Sequence, residues 1–475
     1  MIFRISLLFL LLLNFPALFA AISESDYIKQ VMEKNGELVG TKISIKAKEE
    51  RKNESKALFH PNLFANSQYI DDQKPVNSIS VQGKKTERKV LQAGVTELFP
   101  SGTKVNLSYN FLHTEITGAS SAFVPQKSFY DLSPQIEVSQ SLWRNFLGKE
   151  NRSMVQVGVN QIEMNQNLDK FKYKQLLMNA KLAYWKLVLS QNNLKVQNEL
   201  VEGAKRNRDW TTARVQKGLA EEIDLFQANA NLKNHEIELQ NAQTEMAIVR
   251  KNFQSLRDHE DDQEEIKLDV DPISLSDKFL KYDIPSKMKT REDVLAAQNA
   301  QKLATFSAIL GQEKNRPNLE VFGSYATNGR AVDYSKAMED TLKTNQPYSV
   351  IGIRFNIDLD VLDSNKYLKS YHQEKIAADL LYERKLDEVE KDWKSLEIRF
   401  YDLKNNLKLM ANLLEIQKRK FELSKNEFKK GKMTTFHMLQ FESDYGNSHL
   451  LNIKYQLDFL QTYYALQLYS EESYE

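Results

Sequence analysis

Few residues in this 475-residue chain have the types and spacing that bond-making chemistry requires. Ser101-Gly102-Thr103-Lys104 fits the SxxK pattern of an acylated serine, but the partner motifs are absent and the segment has the composition of a turn. The segment from Gly36 to Lys42 has two glycines, which are one residue too close for a phosphate-binding loop. No HExxH, GxSxG or CxxC motif is present. We therefore predict that the protein is not an enzyme and that it uses no cofactor and no metal.

An acidic run at 258–265 has a composition that could bind a divalent cation weakly. Charge runs of this kind usually form solvated segments. We therefore predict that residues 258–289, which contain Pro272 and Pro285, are a connector.

The chain contains an internal repeat with an offset of about 213 residues. One long helical pattern breaks at Lys217-Gly218 and resumes, and a second breaks at Lys430-Gly431 and resumes in the same way. The residues that coincide at this offset include Leu194 with Leu407, Leu200 with Leu413, Val201 with Leu414 and Asn234 with Asn447. Because a repeat marks the unit of an architecture, we expect two copies of one structural unit.

Residues 1–20 have the pattern of a secretory signal peptide. Arg4 is followed by the apolar stretch Ile5–Leu13 and then by small residues at Ala20 and Ala21. The stretch is shorter than the ~20 apolar residues of a membrane-spanning helix, although an uncleaved anchor is the alternative. Cleavage removes only Arg4 among the 65 basic residues, which leaves 64 to balance 64 acidic residues. This neutral balance gives no reason to expect a nucleic-acid partner.

The sequence contains no cysteine. An exported chain without cysteine has no disulfides, so burial and pairing alone must stabilise it. It also has no thiol after the signal peptide to receive a lipid, so we predict that the protein is not lipidated. No later stretch is apolar enough to span a membrane as a helix, so only strands could enter one.

The first repeat, at 21–257, is predicted to contain a helix, strands within 59–142 and a long helical hairpin at 145–257. The strands are expected at 59–70 and 129–142, with a β-hairpin at 90–112 that turns at Phe99-Pro100-Ser101-Gly102. The return strand alternates apolar residues with polar ones, which places them on opposite faces. The apolar set is Val105, Leu107, Tyr109 and Phe111.

The second repeat, at 290–475, has the same order: a helix, strands within 317–359 and a helical hairpin at 361–470. Residues 364–430 contain neither glycine nor proline, which predicts a helix of about 100 Å at 1.5 Å rise per residue. Helices this long and thin have no core of their own, so they must pack on each other or on further copies.

The alternating strands predict a sheet with one apolar face. Strands that face lipid must belong to a closed barrel, because an open edge leaves unpaired backbone groups in hydrocarbon. A transmembrane barrel needs about eight strands or more, so four repeat-related strands require several copies of the chain. A soluble sheet is the alternative.

Several motifs together resemble the TolC family of outer-membrane efflux and secretion channels. Pro-Asn-Leu opens the strands of each half, at 61–63 and 317–319. Gln140-Ser141-Leu142-Trp143 resembles the family's strand-to-helix junction, without its usual proline. Arg291-Glu292-Asp293 resembles the Arg-Pro-Asp start of the second half, with Glu292 in place of proline. With the Lys-Gly turns, the resemblance covers nearly the whole mature chain.

The resemblance implies a mainly α-helical protein with a membrane β-barrel part. Three protomers with four strands each would form a twelve-stranded barrel in outer-membrane lipid, continued by an α-helical barrel through the periplasm. The connector at 258–289 would lie in a belt midway along the periplasmic part. The hairpin at 90–112 exceeds the four-strand pattern, and it would either widen the barrel or decorate its rim.

The resemblance also suggests which residues would form the pore and the docking surface. The sixth and ninth positions after each turn glycine, where family members narrow the pore, are Asp224 and Gln227 in the first repeat and His437 and Gln440 in the second. Asp224 would attract cations, or it would simply cap its helix. His437 could be charged below about pH 6.5, or it would simply be exposed. A periplasmic adaptor would dock near the turns, at Lys217, Gly218, Leu219, Lys430 and Gly431.

The predicted function is a passive exit duct of a tripartite efflux or type I secretion system, together with an adaptor and an inner-membrane pump. A soluble periplasmic coiled-coil scaffold and a secreted enzyme are the rivals. The family's tyrosine and arginine lock corresponds to Phe428 and Met433, so we do not expect that polar lock.

Overall fold

The computed structural model describes residues 22–258, 266, 268, 281–284, 288–344, 346–357 and 361–469, without the side chains of 361–364. The predicted signal peptide at 1–20 and most of the predicted connector at 258–289 lie outside the described residues. The chain divides into two compact units. Unit 1 comprises the residues up to Ile45, Asp169–Arg291 and the residues from Asp387 onward, and unit 2 comprises Lys46–Leu168 and Glu292–Leu386. Each unit therefore contains segments from both repeats.

Helices make up most of the described chain. They are α1 (Glu24–Lys34), α2 (Gly36–Arg51), α3 (Ile79–Gln82), α4 (Lys149–Gln216), α5 (Glu222–Leu256), α6 (Glu292–Lys314), α7 (Tyr334–Thr341), α8 (Val361–Lys429) and α9 (Thr435–Gln467), with short 3-10 helices at Glu54–Phe59 and Phe146–Gly148. The strands are β1 (Asn62–Asp72), β2 (Lys85–Leu98), β3 (Thr103–Thr117), β4 (Ser128–Ser141), β5 (Asn318–Ala326), β6 (Gly329–Ala331) and β7 (Tyr348–Asn356).

Unit 2 is built on one antiparallel sheet with the order β1-β2-β3-β4-β5-β7, and the short β6 pairs with β4. The hairpin that the sequence predicted at 90–112 is formed by β2 and β3 and lies inside this sheet. β2 pairs with β1 along its length on one side and with β3 on the other, and β3 pairs with β4. The sheet therefore contains six long strands, which are the four repeat-related strands and the two strands of the hairpin that exceeds the four-strand pattern.

The two faces of the sheet differ in polarity. Directly paired residues share a face, and the registers place large apolar side chains of all six long strands on one side. This apolar face includes Leu63, Leu91, Val95, Leu107, Ile136, Val138, Tyr325, Ile351, Ile353 and Phe355, all of them exposed. The opposite, polar face contains amides that contact their neighbours, such as Asn66 with Gln92 and Asn110 with Gln135.

A tight junction connects β4 to the long helix α4. The turn between β2 and β3 packs against it, since a Cβ added to Gly148 would lie 1.8 Å from the carbonyl oxygen of Pro100. Gly102 and Gly148 both have positive φ, and so does Asn145. Only glycine fits at the first two positions, because a side chain there would meet backbone as well as strain. The β2–β3 hairpin is thus anchored to the point where the sheet becomes helical.

Unit 1 consists of long helices around an aromatic core. The ring of Tyr27 stacks on Phe253 with 4.0 Å between centroids, and Tyr184 packs beside both. Farther along, the indole N–H of Trp185 donates to the hydroxyl of Tyr464 over 2.8 Å. These side chains hold α1, α4, α5 and α9 together. Among the described helices, none is both long enough and apolar enough to cross a membrane.

Candidate functional site at the helix turns

The two Lys-Gly turns have the same geometry, as the repeat predicts. At the end of α4 the N–H of Leu219 donates to the carbonyl of Arg214 over 2.8 Å, and Gly218 has φ of +71°. At the end of α8 the N–H of Lys432 donates to Glu427 over 3.0 Å, and Gly431 has φ of +72°. This is the Schellman motif, which needs glycine in the left-handed position and satisfies the last carbonyls of a helix.

The five residues suggested as a docking surface lie at these turns and are exposed. Lys217, Gly218 and Leu219 form the first turn, and Lys430 and Gly431 form the second. Leu219 leaves 65% of its surface open.

Asp224 belongs to the cap of α5. Its carboxylate accepts the backbone N–H of Glu221 over 3.3 Å, and the Glu221 side chain accepts the N–H of Asp224 in return. This reciprocal pair is a capping box. The alternative that Asp224 caps its helix is therefore what the structure contains, and its carboxylate is also partly exposed. Gln227, one turn farther along, is exposed.

His437 occupies the equivalent position in the second repeat. The hydroxyl of Thr434 accepts its backbone N–H over 3.4 Å and lies 2.8 Å from its ring Nδ1. His437 is exposed. The exposed Gln440 donates to the carboxylate of Asp444, which also pairs with Lys420 at 2.8 Å.

Within one protomer these four candidate pore residues remain apart. Among the described residues, no hydrogen bond or ion pair joins Asp224 or Gln227 to His437 or Gln440. Asp224 and His437 are alike in a different sense, because each is the third residue of the helix that leaves its turn. The first-turn position favours a carboxylate electrostatically, and a ring of such residues can arise only between copies of the chain.

An apolar cluster occupies the positions of the family's polar lock. Phe428 is buried and contacts Trp210 edge to face, with 5.2 Å between ring centroids. The guanidinium of Arg214 lies 5.7 Å from the same ring. Met433 is packed against this cluster. Apolar packing and a cation–π contact therefore surround Phe428.

A buried carboxyl group that sequence reasoning missed lies farther from the turns. Glu442 on α9 has no exposed surface. Asn231 on α5 donates to its Oε2 over 2.8 Å, and Asn207 on α4 donates over 3.5 Å. The ring Nε2 of His235, on α5, is 3.9 Å away, and neither this nitrogen nor Oε1 of Glu442 has a hydrogen-bond partner among the described residues.

The environment of this group shifts its ionisation. Burial raises the pKa of Glu442 to about 7, and the hydrogen bonds from Asn231 and Asn207 and the charges of Lys425 and Arg206 oppose the shift. Burial likewise lowers the pKa of His235. Both effects follow from the cost of a charge in a poorly solvated place.

A signal for Glu442 was present in the sequence. It lies in the series Thr435, Met438, Glu442, Tyr445 and His449, whose spacing of three or four residues forms one stripe of the helix. All five of these residues are buried. A carboxylate within an otherwise buried stripe indicates a polar network inside the packing.

Searches against family models and against curated proteins give no match. Solved structures do match. The outer-membrane channel CmeC of Campylobacter jejuni is 13% identical, with a TM-score of 0.63 over 94% of this chain and 84% of that one. The outer-membrane channel MtrE of Neisseria gonorrhoeae, in its open state, is 13% identical, with a TM-score of 0.62 over 94% and 88%. The outer-membrane protein VceC of Vibrio cholerae is 13% identical, with a TM-score of 0.61 over 94% and 95%.

These matches extend over both units and over nearly the whole length of each solved chain. Identity this low carries information about the fold alone, which here includes the repeated strands and long helical hairpins. The chain therefore has the fold of solved outer-membrane channels, the fold that its resemblance to the TolC family implies.

Proposed function

We propose that the protein is a passive outer-membrane channel that gives solutes or polypeptides an exit path through the periplasm. It is exported by a signal peptide at 1–20, carries no lipid and assembles as a homotrimer. The two sequence repeats, 21–257 and 290–475, each supply strands to the barrel and a helical hairpin to the periplasmic duct, and the connector at 258–289 joins them. Neither a cofactor nor catalysis is part of this function.

The observation that carries the proposal is the exposed apolar face of the sheet. Ile351 is 88% exposed, Leu63 is 79% exposed and Ile353 is 71% exposed, although all three belong to regular strands. In water such a surface would favour aggregation. In a bilayer it is the lipid-facing band of a barrel, and the amide-rich opposite face lines an aqueous lumen.

Energy and cargo choice would come from other proteins, because the chain has no site for nucleotide or catalysis in its sequence motifs. An inner-membrane pump and a periplasmic adaptor would complete a tripartite efflux or type I secretion system. The adaptor would dock on the exposed turns at Lys217, Gly218, Leu219, Lys430 and Gly431. This assignment is supported by their exposure and by the matched Schellman geometry of the two turns.

The periplasmic end would narrow at Asp224, Gln227, His437 and Gln440. Three copies of a partly exposed Asp224 near one axis would attract cations and repel anions. The carboxylate keeps its cap while it does so, because the capping box uses only part of its hydrogen-bonding capacity.

Membrane insertion tests the proposal directly. The full chain should fractionate with the outer membrane, migrate differently in gels with and without heating, and conduct ions in planar bilayers. Ile351→Arg should prevent insertion, because a cation on the lipid face costs about 2–4 kcal/mol near the bilayer centre. Val350→Arg is the matched control, since Val350 is the neighbour on the opposite face.

A soluble periplasmic scaffold predicts the reverse. It would purify as a stable protein without detergent, and Ile351→Arg and Val350→Arg would have similar, small effects. Either result would exclude the channel.

A further inference from the structure

The sheet of unit 2 contributes more strands than the resemblance implies, and this changes the barrel. We propose that three copies close an eighteen-stranded barrel, in which β1 of one protomer pairs with β7 of the next. The partner is a second copy of this chain, and the inference rests on the proposed function because it assumes trimeric insertion into a membrane.

The two extra strands are full members of the sheet. β2 has 14 residues and β3 has 15, which is longer than β1 and β7. β2 pairs with β1, where Asn62 lies opposite Thr96, and β3 pairs with β4, where Thr103 lies opposite Gln140. Neither register is interrupted. The apolar face also continues across them through Leu91, Val95 and Leu107. A hairpin at the rim of the barrel would not face lipid, so it would not need to continue the apolar face of the sheet.

The two free edges of the sheet have the correct directions for closure. The sheet has six long strands, all antiparallel to their neighbours, so its two edge strands run in opposite directions. β7 of one copy can therefore continue the antiparallel order with β1 of another. Both edges carry the apolar face, at Leu63 on β1 and at Ile351 and Ile353 on β7. If these edges stayed open in lipid, their backbone N–H and C=O groups would be unpaired, which is strongly unfavourable.

The stagger of the strands matches a membrane barrel. Directly opposite residues lead from Asn62, the first residue of β1, across the sheet to Val350 on β7, through Thr96, Asn106, Glu137 and Ser324. Val350 lies six residues before the end of β7 at Asn356 (356 − 350). Six residues of offset over five pairings correspond to a tilt of about 40°, which lies within the range of transmembrane barrels.

The strand count also fits the helices that join the sheet. In the described chain four helical segments adjoin the sheet at one end: the 3-10 helix before β1, α4 after β4, α6 before β5 and α8 after β7. Twelve helices from three copies, side by side, span roughly 95–120 Å of circumference. Eighteen strands at this tilt span roughly 113 Å, whereas twelve would span only about 75 Å. An eighteen-stranded barrel can thus follow the helical ring without a sharp taper.

The consequence is a wide transmembrane passage. Eighteen strands give a backbone diameter of about 36 Å, and twelve give about 24 Å. Barrels of 16–18 strands leave an aqueous channel open between their side chains. Passage through the membrane part would then be limited by loops and not by the barrel wall.

Electron cryomicroscopy of the full-length trimer in lipid nanodiscs tests the count. The proposal expects eighteen strands around the lumen, with β2 and β3 between β1 and β4. A twelve-stranded barrel with the β2–β3 hairpin outside the wall would overturn it and leave the channel function intact. A protein that neither trimerises nor enters lipid would instead overturn the proposed function.

Disulfide trapping in membranes tests the contact between β1 and β7 that closes the barrel. Because the sequence contains no native cysteine, only the introduced cysteines can form disulfides. Ser67→Cys combined with Ile351→Cys, or with Ile353→Cys, should give oxidation-dependent linked dimers and trimers, since these positions share the apolar face. Ser67→Cys with Val350→Cys, on opposite faces, should not. Equal yields from all three pairs would refute the β1–β7 contact. Within one protomer, Asn66→Cys with Gln92→Cys should also link, because these residues are direct partners.

Discussion

Asn231 on α5 donates a 2.8 Å hydrogen bond to the carboxyl group of Glu442 on α9. Asn207 on α4 contacts the same carboxyl group, so one side chain of the second repeat is held by both helices of the first helical hairpin. The site has no exposed surface at Glu442. A buried carboxyl group with amide donors, and with no lysine or arginine within ion-pair distance among the described residues, makes helix packing depend on its protonation.

Stability should fall as the pH rises through the titration of Glu442. Its pKa is about 7 in the folded chain and 4.5 is its ordinary value, so the folded state holds a proton that the unfolded state has lost. The stabilising contribution is complete below about pH 4.5 and is lost progressively up to about pH 7. Glu442→Gln should remove this slope and raise stability at pH 8 by about 3 kcal/mol relative to the wild type. Thermal unfolding followed by circular dichroism at pH 5 and pH 8 measures the difference.

Glu199→Gln is the control, because Glu199 is an exposed carboxylate on α4. It should leave the pH dependence unchanged. His235 and His449 act in the opposite direction, since burial lowers the pKa of each and the unfolded state binds their protons more readily as the pH falls below about 6.5. Only the difference between Glu442→Gln and the wild type therefore isolates the carboxyl group. Parallel pH curves for these two proteins would contradict the prediction.

Asp224 should contribute to ion selectivity through its charge. Asp224→Ala in planar bilayers should raise single-channel conductance or lower cation selectivity, because in the proposed trimer this change removes three negative charges from the narrow end of the pore. The same change also removes half of the capping box at Glu221, at a cost of about 1 kcal/mol.

Asp224→Asn separates these two effects. Its amide oxygen can still accept the N–H of Glu221, whereas the charge is gone. The two variants should therefore give similar current–voltage curves and different melting temperatures. An unchanged curve in both would remove Asp224 from the pore.

The helix turns could be predicted in detail from the sequence because their chemistry is local. A glycine that follows a long periodic run, followed by polar residues and a new run, is sufficient to predict a Schellman turn. Gly218 and Gly431 have φ values within one degree of each other. The two turns of the internal repeat therefore share a backbone conformation as well as residue types.

The width of the sheet was harder to predict. The hairpin was expected to begin at residue 90, yet β2 begins at Lys85. Its first residues, Lys85 to Lys89, are charged or polar, and such a run has no apolar alternation to mark a strand. This part of β2 is instead held by contacts to the neighbouring strand β1, where the ammonium of Lys85 lies 3.3 Å from the carboxylate of Asp71. The start of the strand is therefore determined by contacts between segments that are distant in the chain, and these contacts cannot be read from a single sequence.

The contact of Phe428 with Trp210 and Arg214 should keep the lower ends of α4 and α8 together. Phe428→Ala should lower stability by about 3–5 kcal/mol, because it removes a buried aromatic ring. We expect the variant to show more frequent open events in planar bilayers if these helix ends move during opening. Leu423→Ala is a matched control on α8, since Leu423 is 59% exposed. A variant with wild-type stability and the wild-type closed fraction would exclude this cluster as a lock.

The last prediction concerns the backbone of the turns. A Cβ at Gly218 or Gly431 meets nothing within 4 Å, so any effect of alanine there comes from the positive φ alone. Gly218→Ala and Gly431→Ala should each cost about 1 kcal/mol, the strain of a left-handed alanine.

Gly40→Ala provides the comparison, because Gly40 lies in α2 with equally open space and ordinary helical backbone. It should instead stabilise the chain by about 0.5–1 kcal/mol. Melting temperatures of the three variants measure the contrast in sign. If the turns also form the adaptor surface, the two turn variants should weaken adaptor binding in a pull-down with the purified adaptor, while Gly40→Ala leaves it unchanged. The three variants could bind the adaptor equally while the turn variants lose stability and Gly40→Ala gains it. This result would support the Schellman turns and exclude adaptor docking that depends on their geometry.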